Sequence, residues 1–348
     1  MILNRKFGKR PSGERLALIK KSPNYKNGRF VNSNPTPELT EGYKMINVAY
    51  EHFFKKAERR SPLENIPTVK TDLLNLPAAE DVLVWFGHSS YFMQIEGKRI
   101  LVDPVFSGNA SPIPGTMKAF KGADRYTVDD IPAIDYLFIT HDHYDHVDYD
   151  TIVKLQPKIK QVICGLGVGS HFEHWGYAAE NIIEKDWDEK IVLGDGLVVY
   201  TTTARHFSGR FIPRCDTLWL SFVLQTPGLK IFIGGDSGYD SHFAEIGKIH
   251  GPFDLAILEN GQYDKKWKYI HMLPGEIFKA AKDLRAKRIF PVHSSKFALA
   301  NHPWDEPLVK VTAQNKKEKL SLITPMIGEQ VNLKDTSQQF ANWWENVK

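Results

Sequence analysis

Three histidines and two aspartates stand within six consecutive positions, His-Asp-His-Tyr-Asp-His, directly after an apolar run from Ile134 to Thr140. Alternation along a strand that ends in a turn would point His141 and His143 in the same direction. Asp145 and His146 then lie beyond the bend, where they can face a second point in space. Imidazole and carboxylate groups hold borderline divalent metals, so two such pairs indicate two adjacent metal positions.

Three more candidate ligands each follow a strand-like run. A strand end is rigid and opens onto the edge of a sheet, so a pre-organised site is built most easily there. The runs are Val198 to Ala204, Lys230 to Gly235 and Arg288 to Val292, and they lead to His206, Asp236 and His293. Any one of these residues alone could be an ordinary polar residue in a turn. Together with the first motif they make seven candidate ligands: His141, His143 and His206 for one metal, Asp145, His146 and His293 for the other, and Asp236 as the bridging carboxylate.

This set of residues, in this order, resembles the metallo-β-lactamase superfamily of binuclear hydrolases. The resemblance implies an α/β fold of four αββα layers, with two β-sheets packed face to face between helices and the metals at one end of the sandwich. It also implies that Asp103, which ends the run from Arg99 to Val102, orients a metal ligand. A doubly wound parallel sheet is the alternative fold, but no G-x-G-x-x-G phosphate loop follows a strand.

The segment Trp85 to Phe92, Trp-Phe-Gly-His-Ser-Ser-Tyr-Phe, narrows the choice within the superfamily. It is similar to a strand junction in the branch that holds N-acylphosphatidylethanolamine-hydrolysing phospholipase D and L-ascorbate-6-phosphate lactonase. Residues 103–107 and 296–301 resemble the phospholipase side more closely. The chain departs from that pattern at residues 32–34, which read Asn-Ser-Asn where Asn-Pro-Trp is usual, and at Ser294-Ser295, where a pair such as Trp-Gly is usual. These departures weaken the transfer of the substrate and leave the metal chemistry untouched.

The expected chemistry is hydrolysis by a metal-activated water. Two divalent ions about 3.5–4 Å apart share one water and lower its pKa toward ~7, and the bridging hydroxide is then the nucleophile. Asp145 would ligate one metal and aim the hydroxide. Zinc suits these ligands best, and manganese or iron would also fit.

Four histidines outside the ligand set need separate interpretation. A histidine similar to His271 lies near the substrate in the related branch, which implies phosphate binding or protonation of the leaving group. Capping of the helix that follows is its alternative role. His88 is expected to hold a metal ligand in place without binding a metal itself. His171 and His174 are predicted to be solvated.

The leading hypothesis is a binuclear hydrolase of phosphodiesters, of the phospholipase D type, acting on N-acyl phospholipids or related phosphodiesters. A lactonase or carboxylic-ester hydrolase acting on a small phosphorylated substrate is the first alternative, and a nuclease is the second. Nucleic acid is disfavoured, because no inserted nuclease domain and no interleaving of aromatic and basic residues surrounds the site. A non-enzymatic binding module would need degraded ligands, whereas all seven are present.

The charge is unevenly spread along the chain. Residues 1–29 hold nine basic residues and one acidic residue, a net charge of +8 in a chain whose total is +4. Such an arm predicts peripheral contact with an anionic membrane or, alternatively, a solvated and poorly ordered terminus. We expect residues 1–60 to form a basic extension and helix that pack on a hydrolase domain of residues 61–348.

Other features of the composition favour a cytoplasmic enzyme. No window approaches the ~20 apolar residues of a membrane span. The apolar run Leu16 to Ile19 is too short for a signal peptide. Two cysteines supply no disulfide framework. The oligomeric state is open, and a homodimer is compatible with the sequence.

Periodicity places the main elements. Short strands are predicted from about Val82 onward, and helices at 41–60, 148–155, 274–287 and 304–317. The first of these helices has Met45, Val48, Phe53 and Phe54 as its main apolar residues.

Overall fold

A computed structural model describes residues 5–113, 115–212 and 214–348, apart from the side chains of Ala49, His52 and Phe53. Before the sheets come α1 (Gly13–Ile19), the hairpin strands β1 (Tyr25–Lys26) and β2 (Arg29–Phe30), and α2 (Met45–Phe54). The hairpin turns at Asn27 and Gly28, whose φ angles of 53° and 80° are those of the type I′ turn that suits a two-residue loop.

The first sheet combines an antiparallel half with a parallel half. Its strands in spatial order are β16 (Gln330–Asn332), β3 (Val82–Trp85), β4 (Tyr91–Ile95), β5 (Lys98–Val102), β6 (Ile134–Ile139), β7 (Ile159–Gly165) and β8 (Ile182–Lys185). Pairing is antiparallel from β16 to β5 and parallel from β5 to β8. Parallel strands need crossovers, and these supply the outer helices.

The second sheet repeats this design. Its strands in spatial order are β15 (Ser321–Leu322), β14 (Arg288–Val292), β13 (Leu255–Glu259), β12 (Lys230–Ile233), β11 (Ser221–Gln225), β10 (Leu197–Thr202) and β9 (Lys190–Gly194). The strands from β12 to β15 are parallel, and those from β9 to β12 are antiparallel. The remaining helices are α3 (Tyr149–Leu155), α4 (Gly169–His174), α5 (His242–His250), α6 (Glu276–Asp283) and α7 (Glu306–Glu318), with short 3₁₀ turns at Val128–Asp130, Gln156–Lys158, Ala179–Asn181, Lys265–Trp267 and Trp343–Asn346.

The core is layered because successive side chains of a strand point to opposite faces. In β5, Ile100 and Val102 join the core between the sheets, whereas Leu101 packs toward α3 and α4. In β13, Ile257 faces the other sheet and Leu258 packs with α5, α6 and α7. Strands buried on both faces read as continuous apolar runs. The expected four-layer αββα fold is therefore confirmed.

Two predicted helices are several residues shorter in the structure. The helix expected over residues 41–60 ends at Phe54, because the following chain makes tertiary hydrogen bonds instead: Ala57 N donates to Asn301 Oδ1 and the Arg60 guanidinium to Ala300 O. The helix expected from residue 274 begins at Glu276, since Gly275 adopts a left-handed φ of 90°. Tertiary contacts therefore set the C-terminal end of the first helix, and local backbone conformation sets the N-terminal end of the second, in place of the sequence periodicity.

The basic N-terminal segment packs on the sandwich over residues 5–29. Lys6 pairs with Asp150, and Arg15 pairs with Glu184. A poorly ordered terminus is therefore wrong for this described part. Within the described residues, no helix is both long and apolar enough to cross a bilayer.

Candidate metal centre and its pocket

All seven predicted ligands lie at one edge of the sandwich, beyond the carboxyl ends of strands from both sheets. His141, His143, Asp145 and His146 follow β6, His206 follows β10, Asp236 follows β12 and His293 follows β14. Because β10, β12 and β14 run in the same direction, their carboxyl ends meet at the same edge. This edge is where α/β sheets commonly bind ligands.

The first group of donors consists of three imidazoles. His141 Nε2 lies 3.0 Å from His143 Nδ1, and His206 Nε2 lies 3.2 Å from the same atom. Nitrogens held about 2.0–2.1 Å from a tetrahedral zinc ion are roughly 3.3 Å apart. The three nitrogens therefore have nearly the spacing that a single metal ion requires. Burial lowers the pKa of His141 and of His206 well below its usual value, which keeps these imidazoles neutral and able to ligate.

The second group combines histidines with carboxylates. His146 Nε2 lies 3.5 Å from Asp145 Oδ2 and 3.3 Å from Asp236 Oδ2. His293 Nδ1 lies 3.2 Å from Asp236 Oδ1. Asp236 Oδ2 also lies 3.9 Å from His141 Nε2, in the first group. Asp236 thus stands between the two groups, the position expected of a bridging ligand.

The chemistry of this cluster fits divalent cations. His146 Nε2 and Asp236 Oδ1 are buried and make no geometrically sound hydrogen bond to the described residues. A buried polar atom without a partner costs about 1–3 kcal/mol, and a bound cation would remove that cost. Burial alone would lower the pKa of His146, but the carboxylates of Asp236, Asp145 and Asp103 reverse this and raise it well above its usual value. The site is therefore strongly attractive to positive charge.

Asp103 holds His146 in place. Its Oδ2 lies 2.8 Å from His146 Nδ1 and accepts a hydrogen bond from Thr140 Oγ1 at 2.6 Å, while its Oδ1 accepts the Thr140 N–H at 2.9 Å. The residue has a left-handed φ of 41°, and Ser90 Oγ donates to its carbonyl oxygen at 2.6 Å. This arrangement turns Nε2 of His146 toward the cluster, which is the orienting task expected of Asp103.

The turn between β3 and β4, at the same edge of the first sheet, supports the cluster. His88 Nε2 lies 2.8 Å from Asp145 Oδ2, and Ser89 Oγ lies 2.9 Å from His293 Nδ1. The backbones interlock, because His293 N donates to His88 O and His88 N donates to Ser294 O. His88 belongs to one group of possible metal donors with Asp145, His146 and His293.

His271 lies beside the cluster and is held by a residue that sequence reasoning missed. Its Nδ1 lies 2.6 Å from Oε2 of Glu259, whose Oε1 accepts the Met272 N–H at 2.6 Å. Burial lowers the pKa of His271, but Glu259 outweighs this and raises it above its usual value. His271 does not cap α6, whose N-cap is Gly275. Glu259 ends β13, so the same strand-end reasoning that found Asp236 could have found it.

His171 is buried, and its predicted solvation is wrong, whereas His174 on the same helix is exposed. The Lys9 N–H donates to His171 Nδ1 at 3.1 Å, so the proton of the neutral ring is on Nε2 and is donated to Asp142 Oδ2 at 3.2 Å. Asp142 Oδ1 accepts the Gly209 N–H at 2.9 Å. Asp142 lies between two ligand histidines, and Gly209 follows a third in the chain. The N-terminal segment therefore helps to position both metal-binding loops.

A pocket of about 270 Å³ opens onto the cluster. His143, Asp145, His206, Asp236 and His293 form its floor, and His271 is on its wall. Much of the remaining lining is apolar and comes from Leu39, Met45, Val48, Trp267, Ile270 and Leu299. The helix α2 thus contributes one side of the wall. The pocket combines a cation-binding floor with walls that suit hydrocarbon.

Comparisons with known proteins agree with this architecture. Residues 98–294 match a family model described as the β-lactamase superfamily domain. An uncharacterised protein of Mycobacterium tuberculosis is 35% identical over 334 residues, which cover 94% of this chain and 89% of that protein. N-acyl-phosphatidylethanolamine-hydrolyzing phospholipase D 1 of Caenorhabditis elegans is 28% identical over 313 residues, which cover 80% of this chain and 86% of the worm protein.

The solved structure of Igni18, a metallo hydrolase of the archaeon Ignicoccus hospitalis, superposes with a TM-score of 0.55 at 20% identity. The match covers 73% of this chain and 98% of the archaeal chain, and at that identity it shows the shared fold. The domain match, the relatives and the His/Asp cluster at the sheet edge lead to one conclusion: this chain belongs to the metallo-β-lactamase superfamily and is a metal-dependent hydrolase.

Proposed function

We propose that this hydrolase is a phospholipase D-type enzyme that cleaves the phosphodiester bond of N-acyl phospholipids or related lipids. It would use two divalent metal ions, and zinc is the metal that best fits the ligands. One observation carries the proposal. A histidine whose pKa is raised stands beside the metal-binding floor of a pocket whose walls are largely apolar. Such a site complements a molecule that is anionic at its reacting centre and apolar beyond it.

The charge of His271 suits a phosphate. Its ring centroid lies 5.0 Å from that of His206 and 5.3 Å from that of His293, so it faces the space above both donor groups. Its Nδ1 is occupied by Glu259, which leaves Nε2 as the atom that can donate to a substrate oxygen. The carboxylate of Glu259 stabilises the charged ring, as a second group does in other histidine-based acid catalysts.

The walls suit an acyl chain better than a hydroxylated sugar. Two polar residues at the rim, Arg214 and Glu38, pair with each other at 2.7 Å and are therefore engaged. Leu39, Ile270 and Leu299 would leave sugar hydroxyl groups without partners on that side. This favours the lipid over the small phosphorylated lactone.

The residues of the chain have distinct tasks in hydrolysis. When bound, the two metal ions supply Lewis acidity and a water of lowered pKa. Asp145, fixed by His88, orients the attacking water toward phosphorus. As the bond between phosphorus and the leaving oxygen breaks, His271 Nε2 transfers its proton to that oxygen, so that an alcohol leaves. The water oxygen remains on phosphorus as part of a phosphate monoester.

A substrate panel tests the proposal. Metal-loaded protein would be assayed on N-acylphosphatidylethanolamine in detergent micelles, on a phosphorylated sugar lactone and on single-stranded DNA. We expect kcat/KM to be highest for the phospholipid, with release of phosphatidic acid. Turnover of the lactone with greater efficiency would replace the proposal by the lactonase alternative, and efficient DNA cleavage would replace it by the nuclease.

A further inference from the structure

We infer that the outward face of α2 is a membrane-docking surface that presents the pocket to a phospholipid bilayer. Ile46, Tyr50 and Phe54 on this face, together with Tyr43 two residues before the helix, form what we call the apolar stripe. In chain order, their exposed fractions are 41%, 73%, 53% and 74%. The choice of a bilayer as the occupant follows from the proposed lipid substrate, whereas the stripe itself is a feature of the structure.

The stripe is continuous because its residues recur at the spacing of one face of an α-helix. At about 100° per residue, Ile46, Tyr50 and Phe54 fall within roughly 80° of one another on one side of the axis. Met45 and Val48 lie on other sides and line the pocket. A helix that is apolar on several faces is normally buried or in contact with a membrane.

The domain holds α2 with the stripe outward. Lys266 Nζ lies 2.7 Å from Glu51 Oε2 on the helix, and Thr40 N donates to Lys266 O just before it. After the helix, Ala57 N donates to Asn301 Oδ1. These polar contacts secure the inner side and both ends of the helix. The apolar stripe is left in solvent, next to the mouth of the pocket.

The lysines at the two ends of the stripe suit an anionic lipid surface. Lys44 precedes the helix and Lys55 and Lys56 follow it, and all three are exposed. Lys55 Nζ lies 5.8 Å above the ring of Tyr50. Helices that lie in the membrane interface combine an apolar face with flanking lysines, and tyrosine is enriched at that depth. Each basic residue near an anionic surface contributes about 1 kcal/mol.

A second copy of the chain fits the stripe less well. From their exposed fractions, the four side chains offer roughly 400–500 Å², whereas a stable protein interface buries about 800 Å² per partner. A bilayer needs no such matched area. Insertion of a few side chains together with adjacent lysines gives reversible attachment.

The size of the pocket supports the same occupant. At about 270 Å³ it lies at or below the lower end of the ~300–1,000 Å³ typical of ligand sites. Most of a two-chain phospholipid must therefore remain outside. If the mouth rests on the bilayer, the two glycerol-linked chains of the substrate stay in hydrocarbon while its N-acylated head group enters along α2.

Vesicle sedimentation tests the surface directly. Full-length, metal-loaded protein would be mixed with vesicles of phosphatidylcholine and phosphatidylglycerol that contain no N-acylated lipid. The variant Ile46→Gln/Phe54→Gln removes most of the stripe. The matched control, Val192→Gln/Ile249→Gln, changes two side chains that are equally exposed, at 70% and 71%, but that do not line the pocket.

We expect the partition coefficient of the stripe variant to fall at least tenfold and that of the control to change less than twofold. Hydrolysis of a short, water-soluble phosphodiester should be unchanged in the stripe variant, which shows that the site is intact. Thermal unfolding and circular dichroism of both variants provide the check on folding.

Two outcomes would overturn the inference. One is equal vesicle binding by wild type and the stripe variant. The other is a wild-type dimer in sedimentation that the stripe variant converts to a monomer, which would assign the stripe to a second copy. Because binding is measured without a cleavable substrate, normal vesicle binding by a protein that fails the substrate panel would contradict the proposed function and leave the docking surface standing.

Discussion

The floor and the mouth of the pocket are built in opposite ways. On the floor, the histidines and aspartates are buried except for the half-buried His143, and partners such as Asp103 and Ser89 hold histidine rings in place. At the mouth, Ile46 and Phe54 project into solvent from a helix that polar contacts secure on its inner side. The contrast predicts that chemistry and substrate capture can be changed separately. Substitutions on the floor should change metal content and kcat, and those at the mouth should change interfacial binding.

The largest effect is expected from Asp236→Ala. Wild-type protein should carry about two metal ions per chain, and this variant should lose most of both because Asp236 stands between the donor groups. Activity should fall by roughly 10³-fold or more, beyond the 10–100-fold typical of residues that only support ligands. Elemental analysis after dialysis measures the metal, with the exposed Asp195→Ala as the control. Full metal content in Asp236→Ala would contradict the bridging role.

His271→Ala tests the wall beside the floor, without removing a proposed ligand. We expect kcat on an alkyl or N-acyl phosphodiester to fall by about 10²-fold, the range of a lost acid–base group. Simple lactones should be affected much less, and the metal content should be unchanged. If lactone hydrolysis falls as strongly as phosphodiester hydrolysis, the lactonase alternative moves ahead.

Glu259→Gln should alter the pH profile. Glu259 raises the pKa of His271, so its neutral replacement should lower that pKa and the histidine should lose its proton at lower pH. The alkaline limb of kcat against pH should therefore move to lower pH, with a loss of about tenfold near neutrality. If the alkaline limb of the Glu259→Gln profile does not shift, a group other than His271 supplies the proton.

His171→Phe tests whether the N-terminal segment helps to position the metal ligands on the pocket floor. Phenylalanine keeps a ring at this buried position but loses both hydrogen bonds, so metal affinity should fall by about tenfold. His171→Gln can still donate to Asp142 and should recover part of that loss. Competition with a chromophoric chelator measures the affinity. The exposed His174→Phe is the control on the same helix, and an equal effect there would contradict the positioning role.

The smallest effect is expected from the basic segment, in the variant Lys20→Gln/Lys21→Gln/Lys26→Gln. These lysines are exposed, so their contribution to binding anionic vesicles should be steeply salt-dependent. We expect the partition coefficient to fall less than threefold at ~0.15 M salt. If the partition coefficient falls more than it does in the stripe variant, membrane contact would be assigned to residues 1–29 and not to the mouth of the pocket.

Much of the floor could be predicted from the sequence because its signals are local. The motif from His141 to His146 occupies consecutive positions, and the remaining ligands each follow a run of strand residues. Chain direction in a βαβ crossover then brings such strand ends to one edge. Glu259 also lies at a strand end, that of β13, so the same reasoning could have predicted it as a site residue.

Other features depended on the tertiary structure. His171 was expected to be solvated because its spacing from His174 shows nothing of Asp142, 29 positions away, or of the Lys9 backbone. The end of α2 at Phe54 reflects hydrogen bonds with residues more than 200 positions later. Pairings of this kind are long-range, and no local period in the chain encodes them.

The sequence by itself therefore determined the ligand types and the strand ends that carry them, since strand alternation and ligand type are properties of short segments, and its resemblance to the superfamily implied the layered fold. Only the tertiary structure decided which side of α2 lines the pocket and which side meets solvent. Burial depends on what the rest of the chain places over a residue. The periodicity of residues 41–60 predicted an amphipathic helix, and the packed domain left the apolar stripe uncovered.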